Sequence, residues 1–408
     1  MHEDLFPYYE NELTYLRRFA GEFAKRYPAA ASALQVEADR CLDPHVELLL
    51  QGSALLSGRI RRKLDDEFPE LAESMLSLLY PHLLDPIPAV GILQFRVSRE
   101  NSNLNSLYHV PAGTALASKQ TASMDCMFRT CYPVDLVPLV VESSHIEMCR
   151  GHGVTEKMGL GRAQACLSLG LEVIGVPPKE IPLTSLRVHL HGAPMSYRLY
   201  EILGETVVGV EVEYECDKGG HKKILGPDCI QPVGFGPDEG LLPCPPRSFF
   251  GYRLLQEYFA FPQKFLFYDI IFGDDGEIPV NCRRMVLNFY LRTMPEHARD
   301  IAAEQFVLGC TPIINLFEKW CEPFKTDPAK REYRIIPESA GGHAYEVYSV
   351  DEVEATNLDT GASRSFEPFY SFRHALDSET STYWYTRREP GLDGAFETYL
   401  NLCTLGYA

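Results

Sequence analysis

Asp39–Pro88 reads DRCLDPHVELLLQGSALLSGRIRRKLDDEFPELAESMLSLLYPHLLDPIP, the longest run in the chain with helical period and clear punctuation. Asp43 has the position and chemistry of an N-cap, and Pro44 stands at the first helical position, where its missing N–H costs nothing. Glu47 places a negative charge in the first turn, which the helix dipole favours. Val46, Leu49, Ser53, Leu56, Ile60 and Leu64 recur at three- and four-residue spacing and share one face. Gly52 and Ser53 are small residues in mid-helix, where a second backbone has room to approach. A second helix is predicted near Pro69–Leu83, with Leu71, Met75, Leu78 and Leu79 on its buried side. Pro81, Pro86 and Pro88 then stop helical structure. The pattern admits two readings, a hairpin with a solvated charged face or an element that bundles with another subunit.

Upstream, Tyr9, Leu13, Leu16, Ala20, Phe23 and Tyr27 form a stripe from about Tyr8 to Tyr27. At under three heptads it is short for an independent coiled coil, so packing on the Asp43 helix is expected. Pro28 ends it.

Downstream of Pro88 the period falls from 3.6 to 2. Leu93, Phe95 and Val97 alternate with polar residues, as do Leu167–Val173, Leu186–Leu190 and Val208–Tyr214. Such alternation predicts antiparallel strands with one wet face, in a sandwich or two packed modules. Turn-rich segments separate them, including Asp217–Gly220 and the proline-rich 234–246. A short helix is expected at 247–259. Strands at Phe265–Phe272 and Met285–Leu291 flank Gly273-Asp274-Asp275-Gly276, which reads as a hairpin turn because it lacks the ligand pattern of a calcium loop. Tyr345–Val350 and Phe366–Phe372 are further strand candidates. Phe396–Ala408 looks like a strand that stops abruptly, with unpaired backbone groups along it. The predicted class is α+β: a helical segment over 1–88, a β-rich body over 89–300 and a mixed segment over 301–408.

At 408 residues and 45% hydrophobic content a large core is available. No run approaches the roughly 20 apolar residues of a membrane helix, and the acidic start MHEDLFPYYENEL does not read as a signal peptide. The expectation is a soluble cytosolic protein. A net charge of −18 argues against a nucleic-acid partner. The twelve cysteines contain no CxxC pair and read as reduced thiols.

Chemistry is sparse. His189-x-His191 would align two imidazoles on a strand, but no third ligand is near, and an exposed polar face accounts for both. Gly151-His152-Gly153 and Gly159-Leu160-Gly161 do not extend to phosphate-binding motifs. Cys310 lacks any associated base and reads as a buried structural thiol. Asp65, Asp66 and Glu67 point to different sides of a helix. No catalytic residue, cofactor or metal ligand is assigned. An assembly protein working through its interfaces and an enzyme or small-molecule binder with a dispersed site both fit the residues. The candidate interface residues are Tyr9, Leu13, Leu16, Phe23, Leu49, Gly52, Ser53, Leu56 and Ile60.

Pro7-Tyr8-Tyr9-Glu10-x-Glu12-Leu13-x-x-Leu16-Arg17-Arg18-Phe19, with Phe23-Ala24-x-Arg26-Tyr27-Pro28, resembles the opening of the TssF (VasA, ImpG) family of type VI secretion baseplate subunits. The resemblance continues through Asp43–Glu47, Arg61-x-Lys63-Leu64-Asp65-Asp66-Glu67-Phe68-Pro69-Glu70 and Leu78–His82. It returns at Phe128-Arg129-Thr130-x-Tyr132-Pro133-Val134, Gly309–Phe317 and Phe369–Phe372. It implies a non-enzymatic scaffold, similar to wedge proteins of contractile phage tails. The implied partners are TssG, TssK, TssE, a second TssF copy and the VgrG spike, at a cytoplasmic baseplate docked on the inner-membrane complex. Family members usually continue beyond this length, so the resemblance also implies a shortened C-terminal part.

Overall fold

The computed structural model describes residues 5–35, 41–97, 107–118, 126–149, 163–175, 181–216, 220–245, 248–296, 300–327, 329–338, 345–358, 360–369, 381–391 and 396–405. The glycine turns at 151–153 and 159–161 lie outside them, as do Tyr370–Phe372. The chain divides into two compact units, Met1–Asp85 and Pro86–Ala408.

The first unit is helical: α1 spans Phe6–Arg26, α2 spans Pro28–Ala33 and α3 spans Pro44–Leu79. The Asp43 side chain accepts a hydrogen bond from the His45 N–H at 2.8 Å, which confirms the cap. The two helices predicted around Pro69 are one. Helix α3 runs 36 residues through that proline, about 54 Å at 1.5 Å per residue. A proline forfeits one intrahelical bond. The flanking Glu, Leu, Ala and Met are strong helix formers, and here they outweigh that loss. Met75 and Leu79, expected on a buried side, are exposed.

In the second unit a β-sandwich holds the main core. One sheet is ordered His221–Leu225, Val207–Cys216, Cys282–Leu291, Ala165–Val173, Leu139–Met148, all antiparallel. The facing sheet is ordered Ile230–Pro232, Phe267–Ile271, Ser185–Leu190, Phe306–Leu308. Leu167, Leu169, Leu171, Val210, Val212, Leu287 and Phe289 of the first meet Leu186, Val188, Leu190, Tyr268 and Ile270 of the second in one cluster. The alternating leucines and valines thus supply the inner faces, as the period of 2 requires.

Four strand expectations need correction. The outer face of Ala165–Val173 is not wet at Ser168 and Gly170, which are buried. Ser168 Oγ bonds Asn288 Oδ1 at 2.6 Å, and the Arg284 guanidinium reaches across Gly170 to Ser143 Oγ at 3.1 Å. Long neighbouring side chains, rather than a second layer of backbone, cover that face. The turn 273–276 is tight, with Gly276 N–H bonded to Gly273 C=O at 3.0 Å. The strands beyond it, however, belong to opposite sheets, so it begins a crossover and not a hairpin. Tyr345–Val350 is not a strand; Tyr345 is instead engaged through its ring, edge-on to Phe317 and under Lys319. The last strand, Phe396–Leu405, is not an open edge at Tyr399–Asn401. It pairs with Ser381–Pro390 on one side and with Glu332–Arg334 on the other, inside a five-stranded sheet.

Gly309 links the layers. It has φ +70° and sits between Phe306–Leu308 of the sandwich and Cys310–Ile314, which pairs with Val90–Gln94 and Met127–Thr130 in a separate four-stranded sheet.

Candidate interaction surfaces

In the helical unit the chemistry is packing. Helices α1 and α3 lie antiparallel, tied by Arg17–Glu47 at 2.5 Å and Arg61–Glu12 at 3.1 Å. The hydrogen bond from Arg17, then that from Gln51, holds the Glu47 carboxyl below its ordinary range. Tyr9, Leu13, Leu16 and Phe23 are half-buried on α1. The close backbone approach is at Gly58, where a Cβ would stand 3.1 Å from Tyr9 N and 3.2 Å from the Tyr8 carbonyl carbon. Ala54, one turn earlier, is fully buried. Gly52 and Ser53 are exposed, and no atom lies within 4 Å of a Cβ built on Gly52. The Ala54-x-x-x-Gly58 spacing was the signal for this contact, and the apolar stripe drew attention to the other side.

That other side is an open ridge. Leu49 is 71% exposed, Leu56 65% and Ile60 61%, with Leu48, Leu64, Met75 and Leu79 exposed along the same helix. Two residues on a helix differ by about 200°, so Gly58 facing α1 turns Leu56 and Ile60 outward. Gly58→Leu should therefore cost about 1–3 kcal/mol of helical-unit stability by overpacking, while Gly52→Leu leaves it near wild type. Circular dichroism melts of residues 1–85 within the full chain, followed by limited proteolysis, check this.

A second exposed apolar surface lies in the β unit, on the helix Phe250–Ala260. Phe249, Leu255, Tyr258 and Phe259 face outward, and the charged residues face inward. Arg253 and Glu257 are buried, and so is Lys264 just beyond the helix. Glu257 Oε1 accepts the N–H groups of Leu241 and Leu242 at 2.7 and 3.0 Å, while Oε2 meets the Lys264 ammonium. Lys264 also donates to the Glu239 carbonyl at 2.9 Å, and Arg253 donates to the carbonyls of Gly236 and Pro237. Glu239 in turn accepts from Gly234 and Gly236. Residues 234–242, the first part of the proline-rich 234–246 stretch, are thereby strapped to the helix by charges withdrawn from water. Burial pushes the Lys264 ammonium below its ordinary value, against the pull of Glu257.

The histidine pair is not a shared exposed face. His191 is exposed, whereas His189 is buried and packs against Phe267 with the rings tilted by 46° and their centroids 4.5 Å apart. Burial, helped by His191, lowers His189 to about 4 from an ordinary 6.5. The unfolded residue takes up its proton near 6.5 and the folded one only near 4. Stability is therefore full above about 6.5 and falls by about 3 kcal/mol as pH drops through this window. Melting temperature against pH should show that slope, and His189→Gln should flatten it. Cys310 is buried, its thiol pushed up to about 12 by desolvation, as expected of an unreactive core cysteine. Among the described residues no group of three His, Cys, Asp or Glu is placed to hold a metal ion, and no helix is long and apolar enough to cross a membrane.

The exposed ridge, the capped helix and the layered β unit can be compared with known proteins. A family model described as type VI secretion system, TssF, matches residues 1–404. Type VI secretion system component TssF1 of Pseudomonas aeruginosa is 33% identical over 403 residues, covering 96% of this chain and 64% of that relative. A chain of the type VI secretion system TssK–TssF–TssG baseplate subcomplex, solved by cryo-electron microscopy, matches with a TM-score of 0.66 at 27% identity. That match covers 88% of this chain and 65% of that one. The chain thus spans just under two thirds of the length of each of these relatives. With the family match extending from the α1 motif to the last described strand, the chain belongs to the TssF family of the type VI secretion system.

Proposed function

We propose that the chain is a structural wedge component of a type VI secretion baseplate, acting by association and not by turnover. The observation that carries this reading is the apolar ridge Leu49, Leu56 and Ile60 on a helix whose opposite face α1 already covers. A monomer gains nothing by keeping such a ridge in water, since each of these side chains is worth about 1–2 kcal/mol when covered. Membership in the TssF family and likeness to a subunit solved beside TssK and TssG support the reading. In it a TssG helix lies along the ridge, with Gly52 and Ser53 allowing its backbone close. TssK, TssE, a second copy of the chain and the VgrG spike complete the assembly, in the cytoplasm and docked on the inner-membrane complex. For dissection we propose three parts, 1–88, 89–300 and 301–408. The alternative of a dispersed catalytic site has no described constellation in its favour.

The test is co-expression with the TssG-family protein of the same organism, followed by size-exclusion chromatography with light scattering. A stable complex is expected, lost in the triple variant Leu49→Asp, Leu56→Asp, Ile60→Asp with helicity retained. A triple variant that binds like wild type, or no complex with the unaltered chain, contradicts it.

A further inference from the structure

Cysteines are scattered through the β unit, but the strand registers bring two of them directly opposite each other. Cys216 ends the strand Val207–Cys216, and its Cα partner across the ladder is Cys282, the first residue of Cys282–Leu291. A bulge creates the pairing. Glu215 opposes Arg284, and the next pair is Cys216 with Cys282, so Arg283 is skipped. In a regular ladder Cys216 would oppose Arg283, which is exposed. The bulge turns Arg283 out and brings Cys282 to the inner face, where it belongs to the core and Cys216, in phase with Val212 and Tyr214, packs against it. The two thiols lie within hydrogen-bond reach of each other on paired strand ends, the kind of approach from which a disulfide, with Cα atoms roughly 4.4–6.8 Å apart, can close. In the registers of the described residues no other two cysteines are direct partners. Cys149 and Cys166 are near each other, but Cys166 opposes Glu147 and Tyr290.

We propose that Cys216 and Cys282 form a reversible redox site, closed by exchange with a small-molecule disulfide. The Cys216 thiolate attacks one sulfur of that disulfide and expels a thiolate. The Cys282 thiolate then attacks the Cys216 sulfur of the mixed disulfide and expels the second. The protein dithiol loses two electrons and two protons, and the small molecule gains both as two thiols. Half-buried Cys216 is the point of entry, because Cys282 is wholly covered. Burial first, then the neighbouring Cys216, raises the Cys282 thiol to about 12, so closure accelerates with rising pH. The bond would clamp the ends of the strands Val207–Cys216 and Cys282–Leu291 together.

The experiment uses the full chain, incubated with oxidised glutathione at pH 7 and pH 9, then blocked with N-ethylmaleimide under denaturing conditions, digested and mapped by mass spectrometry. A Cys216–Cys282 linked peptide is expected, two hydrogens lighter than its parts. It should form faster at pH 9, vanish with dithiothreitol and accompany a melting temperature raised by several degrees. Cys216→Ala should leave Cys282 fully alkylated. If the wild-type chain yields both cysteines fully alkylated, or links either one preferentially elsewhere, the proposal fails. A link that leaves the melting temperature unchanged removes the clamp.

Discussion

Glu257→Gln is expected to lower the stability of the β unit by about 3–5 kcal/mol, the range for removing one partner of a buried ion pair. The carboxylate is wholly buried and satisfies the Lys264 ammonium and two backbone N–H groups at once. The amide keeps the shape but leaves an uncompensated buried cation. Glu257→Leu combined with Lys264→Met should recover only part of the loss, because that pair of charges vanishes together while the Leu241 and Leu242 N–H groups still lose their acceptor and the buried Arg253 its counter-charge. Urea unfolding followed by tryptophan fluorescence, with both variants against wild type, reads this out. A wild-type midpoint for Glu257→Gln would mean that Lys264 finds another counter-charge.

Gly309→Val should be nearly as damaging. The backbone there has φ +70°, a region β-branched residues rarely enter, and a Cβ would stand 2.5 Å from the Phe95 carbonyl oxygen. That oxygen is fixed, since the Gly309 carbonyl accepts from the Phe95 N–H at 2.9 Å and the two chains run on as paired strands. Strain and overlap together are expected to cost about 3–4 kcal/mol. The failure should be local first: amides of Cys310–Ile314 and Val90–Gln94 should exchange fastest in hydrogen-exchange experiments, ahead of the sandwich core.

These two sites differ in how far the sequence betrayed them. Period-2 alternation in Leu167–Val173 and Val208–Tyr214 was sufficient to place sandwich strands, because inward-facing residues must be apolar whatever lies across from them. It was insufficient for the outer faces. Nothing local shows that Arg284 will lie over Gly170, or that Glu257 and Lys264 will meet beneath a proline-rich segment; those contacts depend on long-range topology. The hairpin at 273–276 failed for a related reason. A tight turn has the same residues whether its strands pair or part to opposite sheets. Helix α3 was legible from its cap to its period, but its partner face was not. Hydrophobicity pointed to Leu49, Leu56 and Ile60, while the intramolecular contact uses Ala54 and Gly58, where small size serves instead of apolar surface. The mismatch between the apolar stripe and the face already packed is what makes that stripe a candidate interface.

Hydrogen–deuterium exchange of the chain alone and with the TssG-family protein, followed peptide by peptide across 44–64, tests the ridge most directly. Added partner is predicted to slow exchange over Leu48–Leu64 by an order of magnitude or more while leaving the sandwich strands unchanged. Unaltered exchange across α3 in a complex shown to be formed would contradict the account.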